Sequence, residues 1–128
     1  MNFTEAVTSA FQNYFNFQTR SRRSEYWYFT LFLILLGIAT ELADLFLFDN
    51  AAGEFGPLYG ISSLVTFIPS LAVSVRRLHD LERSGWYLLL CLIPIVGVII
   101  IIYWMCQPGT SGQNRFGEDP VGAGAVAA

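Results

Sequence analysis

Positive charge is scarce in this chain and confined to a few places. Lysine is absent: all seven basic residues are arginine, set against ten acids for a net charge of −3. Arginines so few and so clustered offer no groove-sized basic stripe, so nucleic acid is not an expected partner. There is one histidine, His79, and the two cysteines are Cys91 and Cys106, so no residues have metal-ligand spacing. On one helix the cysteines would stand roughly 22 Å apart, too far to bridge, and they read as small apolar packing residues. No nucleophile elbow, phosphate loop or zinc-helix motif occurs, so the chain does not read as an enzyme and no cofactor is expected. The first nineteen residues lack the apolar core and small-residue cleavage pattern of a signal peptide, and no internal repeat is visible.

Apolar residues are what the chain has in excess. They make up 54% of 128 residues, with 13% charged, more than a single soluble domain of this size can bury. A bilayer removes that difficulty, because the outer faces of its helices need no protein cover. Three apolar stretches stand out, at residues 26–48, 58–75 and 86–106. Arg20, Arg22 and Arg23 precede the first, and Arg76, Arg77 and Arg83 lie between the second and third. Between the first and second there are only Asp49 and Glu54. If each stretch crosses once, these six arginines share one compartment, which the positive-inside rule makes the cytoplasm. Tyr26, Trp27, Trp86 and Tyr87 then mark the cytoplasmic interface, and Tyr59, Tyr103 and Trp104 the opposite one, as an aromatic belt requires.

Before the first stretch, Phe3, Val7, Phe11, Tyr14 and Phe15 fall on one helical face, with Thr8, Gln12 and Asn13 opposite. Asn2 is placed to cap this helix and Glu5 suits its positive end. The helix is too short and polar to span, and its lack of basic residues favours packing on the protein itself over acting as a lipid sensor. Pro69 lies inside the second stretch and reads as a kink rather than a stop, because neighbours can satisfy the freed carbonyl. Pro94 and Gly97 split the third stretch. A full-length helix satisfies its own backbone and places the tail opposite the arginines. The two halves could instead form a re-entrant hairpin, which would return the tail to the arginine side.

The segment RRLHDLERSGWY, residues 76–87, is the most distinctive in the chain, followed by FQTRSRRSEYW at 17–27 and PGTSGQNRFGEDP at 108–120. These three, in this order, resemble the signatures of the bacterial inner-membrane proteins grouped as domain-of-unknown-function family 805. The likeness runs over residues 16–120, with Thr19 where the family usually has glycine and Glu118 where proline is common. The resemblance implies a small multi-pass membrane protein and no known activity.

The expected fold is all-α: an interfacial helix in residues 1–19, a three-span membrane domain in 20–106, and a turn-rich tail in 107–128 whose last eight residues are disordered. The expected location is the bacterial inner membrane, N-terminus inside. Arg20, Arg23, Arg76, Arg77, His79, Asp80 and Arg83 form the candidate site, as structural ion pairs or as a site for an anionic group, with no metal. Arg76, Asp80 and Arg83 are spaced so that one carboxylate could pair with both guanidiniums, and the planar arginine fork suits carboxylate or phosphate. His79 beside Asp80 reads as a hydrogen-bonded structural histidine or a proton shuttle. Ser84 is placed to cap the third helix. Expected partners are the bilayer, anionic headgroups, and a second copy or another membrane protein. The leading function is a binding or organising module. The alternative is a small oligomeric channel or transport subunit using Glu41 and Asp44, which share a helical face and otherwise mark where the first span meets water.

Overall fold

A computed structural model describes residues 1–49 and 56–120. Among these, all regular structure is helical: α1 (Phe3–Gln12), α2 (Arg23–Leu47), α3 (Pro57–Asp80), a 3-10 helix (Gly85–Leu92) and α4 (Val96–Cys106). Residues 50–55, with Glu54, and the final eight residues, expected to be disordered, lie outside the described segments.

The two long helices are long and apolar enough to cross a membrane. At 25 and 24 residues they extend about 37 and 36 Å, against a hydrocarbon core of roughly 30 Å. Leu31, Ile34, Leu35 and Ile38 on α2, with Ile61 and Leu64 on α3, are exposed along their length. At the far end the connection is fixed by Asp44 of α2. Its buried carboxylate accepts from the Leu58 and Tyr59 backbone N–H groups, both at 3.0 Å, and so caps the first turn of α3. The residue at the α3 N-cap is Gly56, which has no side chain to do this, and a Cβ there would collide with Asp44.

α1 begins in a capping box: Asn2 Oδ1 accepts from the Glu5 N–H at 2.8 Å, and Glu5 Oε1 accepts from the Asn2 N–H at 3.3 Å. It packs on α2 and α3 through fully buried Ala6 and Ala10, with Phe11 edge-on to Phe29 and Phe32, and Ala10 in one cluster with Phe29 and Val73. Thr4, Glu5, Thr8 and Gln12 stay exposed. Just beyond α1, the Tyr14 hydroxyl donates to the Val65 carbonyl at 2.5 Å. Val65 is four residues before Pro69, the residue that cannot donate to it. Tyr14 supplies the missing hydrogen bond.

The third apolar stretch corrects the sequence reading, because it forms no single helix. The 3-10 helix ends at Leu92 and the chain reverses at Pro94–Val96. Ile95 takes φ +67° and the Val96 N–H donates to the Pro94 carbonyl at 2.7 Å, a γ-turn of the strained hand. The returning arm, α4, packs on the outgoing one: Tyr87 meets Trp104 edge-on at 5.5 Å, and Gly97 lies so close to the Leu90 carbonyl that a Cβ would collide with it. Ile101 and Met105 bury against Leu78 of α3. The end of α4 therefore lies beside the start of α2, and Tyr103 and Trp104 sit at the arginine end, not opposite it. Proline and glycine made the full helix weak at this point. The donors that meet the last carbonyls of α4, from Arg23, Trp27 and Arg77, outweigh the backbone economy of a single helix.

Candidate functional site

The turn after α3 shows how the central motif is built. Glu82 takes φ +59°, its N–H donates to the His79 carbonyl at 2.9 Å, and the Arg83 N–H reaches back to the Leu78 carbonyl at 2.8 Å. This is a Schellman cap with glutamate in the position that favours glycine. Ser84 Oγ then accepts from the Trp86 N–H at 3.3 Å and opens the 3-10 helix, so the expected cap forms on a different kind of helix.

Asp80 is the centre of the site, but its partners differ from those the spacing suggested. Its carboxylate pairs with Arg77 one turn earlier, at 2.5 Å, and with Arg20 from the segment before α2, at 2.8 Å. Arg76 turns instead to Glu25 of α2, at 3.1 Å, and Ser21 Oγ donates to the same carboxylate oxygen at 2.5 Å. Arg83 lies over the Trp104 ring, 4.2 Å from its centroid. Helix spacing alone cannot separate these pairings, since the competing carboxylate and guanidinium come from other elements. All three ion pairs are at most 4% exposed on either side chain.

Three buried guanidiniums thus face two carboxylates, and the third charge is met by a helix end. Arg77 Nη2 donates to the Met105 and Gln107 carbonyls, Arg23 Nη1 to the Cys106 carbonyl at 2.9 Å, and Trp27 Nε1 to the Met105 carbonyl at 3.0 Å. These groups belong to the last turn of α4, which has no further turn to satisfy it and carries the negative end of the helix dipole.

The same cluster holds the tail. Arg20 donates from Nη1 to the Gly112 and Gly117 carbonyls and from Nη2 to that of Thr110. The Thr110 N–H returns to the Asp80 carbonyl at 2.6 Å, and Gly109 packs where any Cβ would strike the Asp80 carboxylate. Asn114 Nδ2 donates to the His79 carbonyl at 2.9 Å, and Phe116 stacks flat on the imidazole at 3.9 Å. His79 Nδ1 lies 3.0 Å from the Thr19 carbonyl. A carbonyl only accepts, so this nitrogen carries the proton, as in a structural histidine. The tail is therefore on the arginine side, correcting the expectation that it lies opposite.

All seven candidate residues, Arg20, Arg23, Arg76, Arg77, His79, Asp80 and Arg83, meet at this end. Sequence reasoning did not assign Glu25, Ser21, Trp27 or Phe116 to it, although all but Phe116 fall within the motif at 17–27. Arg76 retains two buried N–H groups, Nε and Nη2, without a protein partner. Beside the cluster a recess of about 480 Å³ opens at the start of α2, lined by Arg23, Ser24, Trp27, Tyr28 and Leu31. At the other end, Glu41 lines a groove of about 530 Å³ with Gly37, Ile38 and Tyr59, while Asp44 is occupied in capping α3. No group of three or more metal-ligating residues occurs among the described residues.

The three motifs that meet here are those of one family. Residues 14–118 match the family described as "Protein of unknown function (DUF805)". The chain belongs to that family. Among its relatives are the inner membrane proteins YhaH and YhaI of Escherichia coli K12. YhaH is 48% identical over 109 residues, covering 85% of this chain and 90% of that one. YhaI is 41% identical over 112 residues, covering 88% and 92%. No solved structure matches the chain. Membership of this family of inner-membrane proteins fits the two long apolar helices, and it brings no assigned activity.

Proposed function

We propose that this DUF805 protein is an organising module of the bacterial inner membrane, with both its N-terminus and its tail in the cytoplasm. In this reading α2 and α3 cross the bilayer, the 3-10 helix and α4 enter and leave through the cytoplasmic leaflet, and α1 lies along that interface. The supporting observation is the destination of the arginines: they clamp the hairpin and the tail into one assembled cytoplasmic face. The exposed side of that face, including Arg115, Gln113 and Glu118, is offered to a membrane partner. The recess at Arg23 and Ser24 has the size and charge for an anionic lipid headgroup.

The channel reading is weakened by the commitment of Asp44 to a helix cap. Two measurements test the proposal. A green fluorescent protein fused to the C-terminus is expected to fluoresce, and an alkaline phosphatase fusion there to be inactive; the reverse pair overturns the topology. In liposomes the protein is expected to pass no ions. A conductance lost in Glu41→Gln would replace the organising reading with the channel.

A further inference from the structure

The two halves of this molecule differ greatly in width. Through the half that bears the arginines pass α2, α3 and both arms of the hairpin, with α1 laid against Phe29, Phe32 and Val73. Among the described residues, α2 and α3 are the only helices that run through the other half, with Tyr14 reaching Val65 at its inner edge. The hairpin is too short to reach it: eight residues of 3-10 helix and eleven of α-helix each advance about 16 Å, close to the thickness of one leaflet. Each helix is about 10–12 Å across, so the arginine half displaces about twice the lipid area of the other.

The rest of the protein does not absorb this extra width. Ile101 and Met105 bury against α3, but Leu92 is 78% exposed, Ile95 74%, and Val96 and Ile99 each 60%. The apex at Pro94–Val96 thus ends in lipid near the middle of the bilayer. Among the described residues no further helix covers the far half, and the groove that runs into it beside Glu41 has Leu33, Ile34, Ile38 and Leu42 among its walls, a surface suited to acyl chains.

We infer that the protein is a membrane wedge: its ligand is a bilayer bent so that the arginine-side leaflet is the convex one. This rests on the re-entrant reading of the hairpin. Lipid packs without strain around a tapered body only where the membrane curves with the taper. The protein therefore gathers where the cytoplasmic leaflet is convex and leaves membrane of the opposite curvature. The preference comes from shape, and no charged lipid is needed for it.

Narrow tubes pulled from giant phosphatidylcholine vesicles test this with the intact fold. The full chain carrying Cys91→Ser is labelled with a small dye at Cys106, which is exposed at the arginine end. A membrane-impermeant quencher added outside silences molecules whose arginine end faces outward, so both orientations are read in one vesicle. Outward molecules are expected to be denser in the tube than in the vesicle, increasingly so as the tube narrows. Inward molecules are expected to be depleted. Equal densities in both orientations, as when a second copy fills the narrow half, overturn the inference, and so does the reversed order. Val96→Trp quenched by brominated lipids separates this from a failure of the topology. Quenching strongest at the bilayer centre supports the hairpin depth, so that flat sorting would then sink the wedge alone. Quenching strongest at the far interface sinks both.

Discussion

Replacing Asp80 by asparagine keeps its volume and removes the one charge shared by two buried guanidiniums. The carboxylate is 3% exposed, Arg20 1% and Arg77 0%, so water cannot step in where the charge is lost. An amide also offers one acceptor oxygen where the carboxylate used two, and turns an N–H₂ donor toward a guanidinium that can only donate. Breaking a buried ion pair in this way costs about 3–5 kcal/mol. The carbonyls of Met105 and Gln107 still hold Arg77, which places Asp80→Asn near the lower end, about 3 kcal/mol. Glu82→Gln is the control: the residue is two positions on and exposed, so its cost should stay within about 0.5 kcal/mol. For a domain of this size, where each kcal/mol moves the midpoint by several degrees, Asp80→Asn should melt at least about 10 °C lower in detergent. Tryptic cleavage at Arg115 should also accelerate in Asp80→Asn, because Arg20 would lose the anchor that aims it at the tail. Equal melting temperatures and equal cleavage rates for the two variants would refute the clamp and leave these charges merely solvated.

Tyr14→Phe should cost about 1 kcal/mol, and much less in a Pro69→Ala background, where a restored N–H at residue 69 serves the Val65 carbonyl; additive losses in thermal melts would show that Tyr14 does not serve it. Gly97→Ala should destabilise by about 1–3 kcal/mol by forcing the hairpin arms apart at Leu90, and an unchanged melting temperature would contradict their close approach. Glu82→Gly should stabilise by about 1 kcal/mol, since it relieves a left-handed backbone without removing the cap, and a lower melting temperature would count against that conformation.

Local chemistry was legible in the sequence wherever one element decided the outcome. The two long helices follow from their long apolar runs, the cap of α1 from Asn2, and the cap that opens the third stretch from Ser84. Pro69 pointed to a neighbour that serves the carbonyl it frees, though not to Tyr14. What stayed hidden depended on elements distant in sequence. Asp80 could have paired along the chain with Arg76 and Arg83, and only the approach of Arg20, from the segment before α2, and of Glu25, on α2, decides otherwise. The break at Pro94 was equally plain, but the direction of the chain after it was not. Counting backbone hydrogen bonds within the stretch favours a straight helix. The donors that tip the balance toward the hairpin, Arg23, Trp27 and Arg77, lie 28 or more residues earlier.

The same contacts explain why arginine rather than lysine stands at positions 20 and 77. A hairpin must bring its last carbonyls back to a protein surface able to donate to them, and it must hold the following segment there. Arg20 does this from three nitrogens at once: Nε and Nη2 reach Asp80, Nη1 reaches Gly112 and Gly117, and Nη2 also reaches Thr110. Arg77 divides its two terminal nitrogens between Asp80 and the end of α4. A lysine ammonium is a single point on a flexible stem, able to sit at the carboxylate or at the carbonyls but not across the gap between them. Topology alone would accept either residue, because the positive-inside rule counts lysine and arginine alike. A clamp that joins a carboxylate on one helix to carbonyls on a hairpin and a tail needs the wide guanidinium fork.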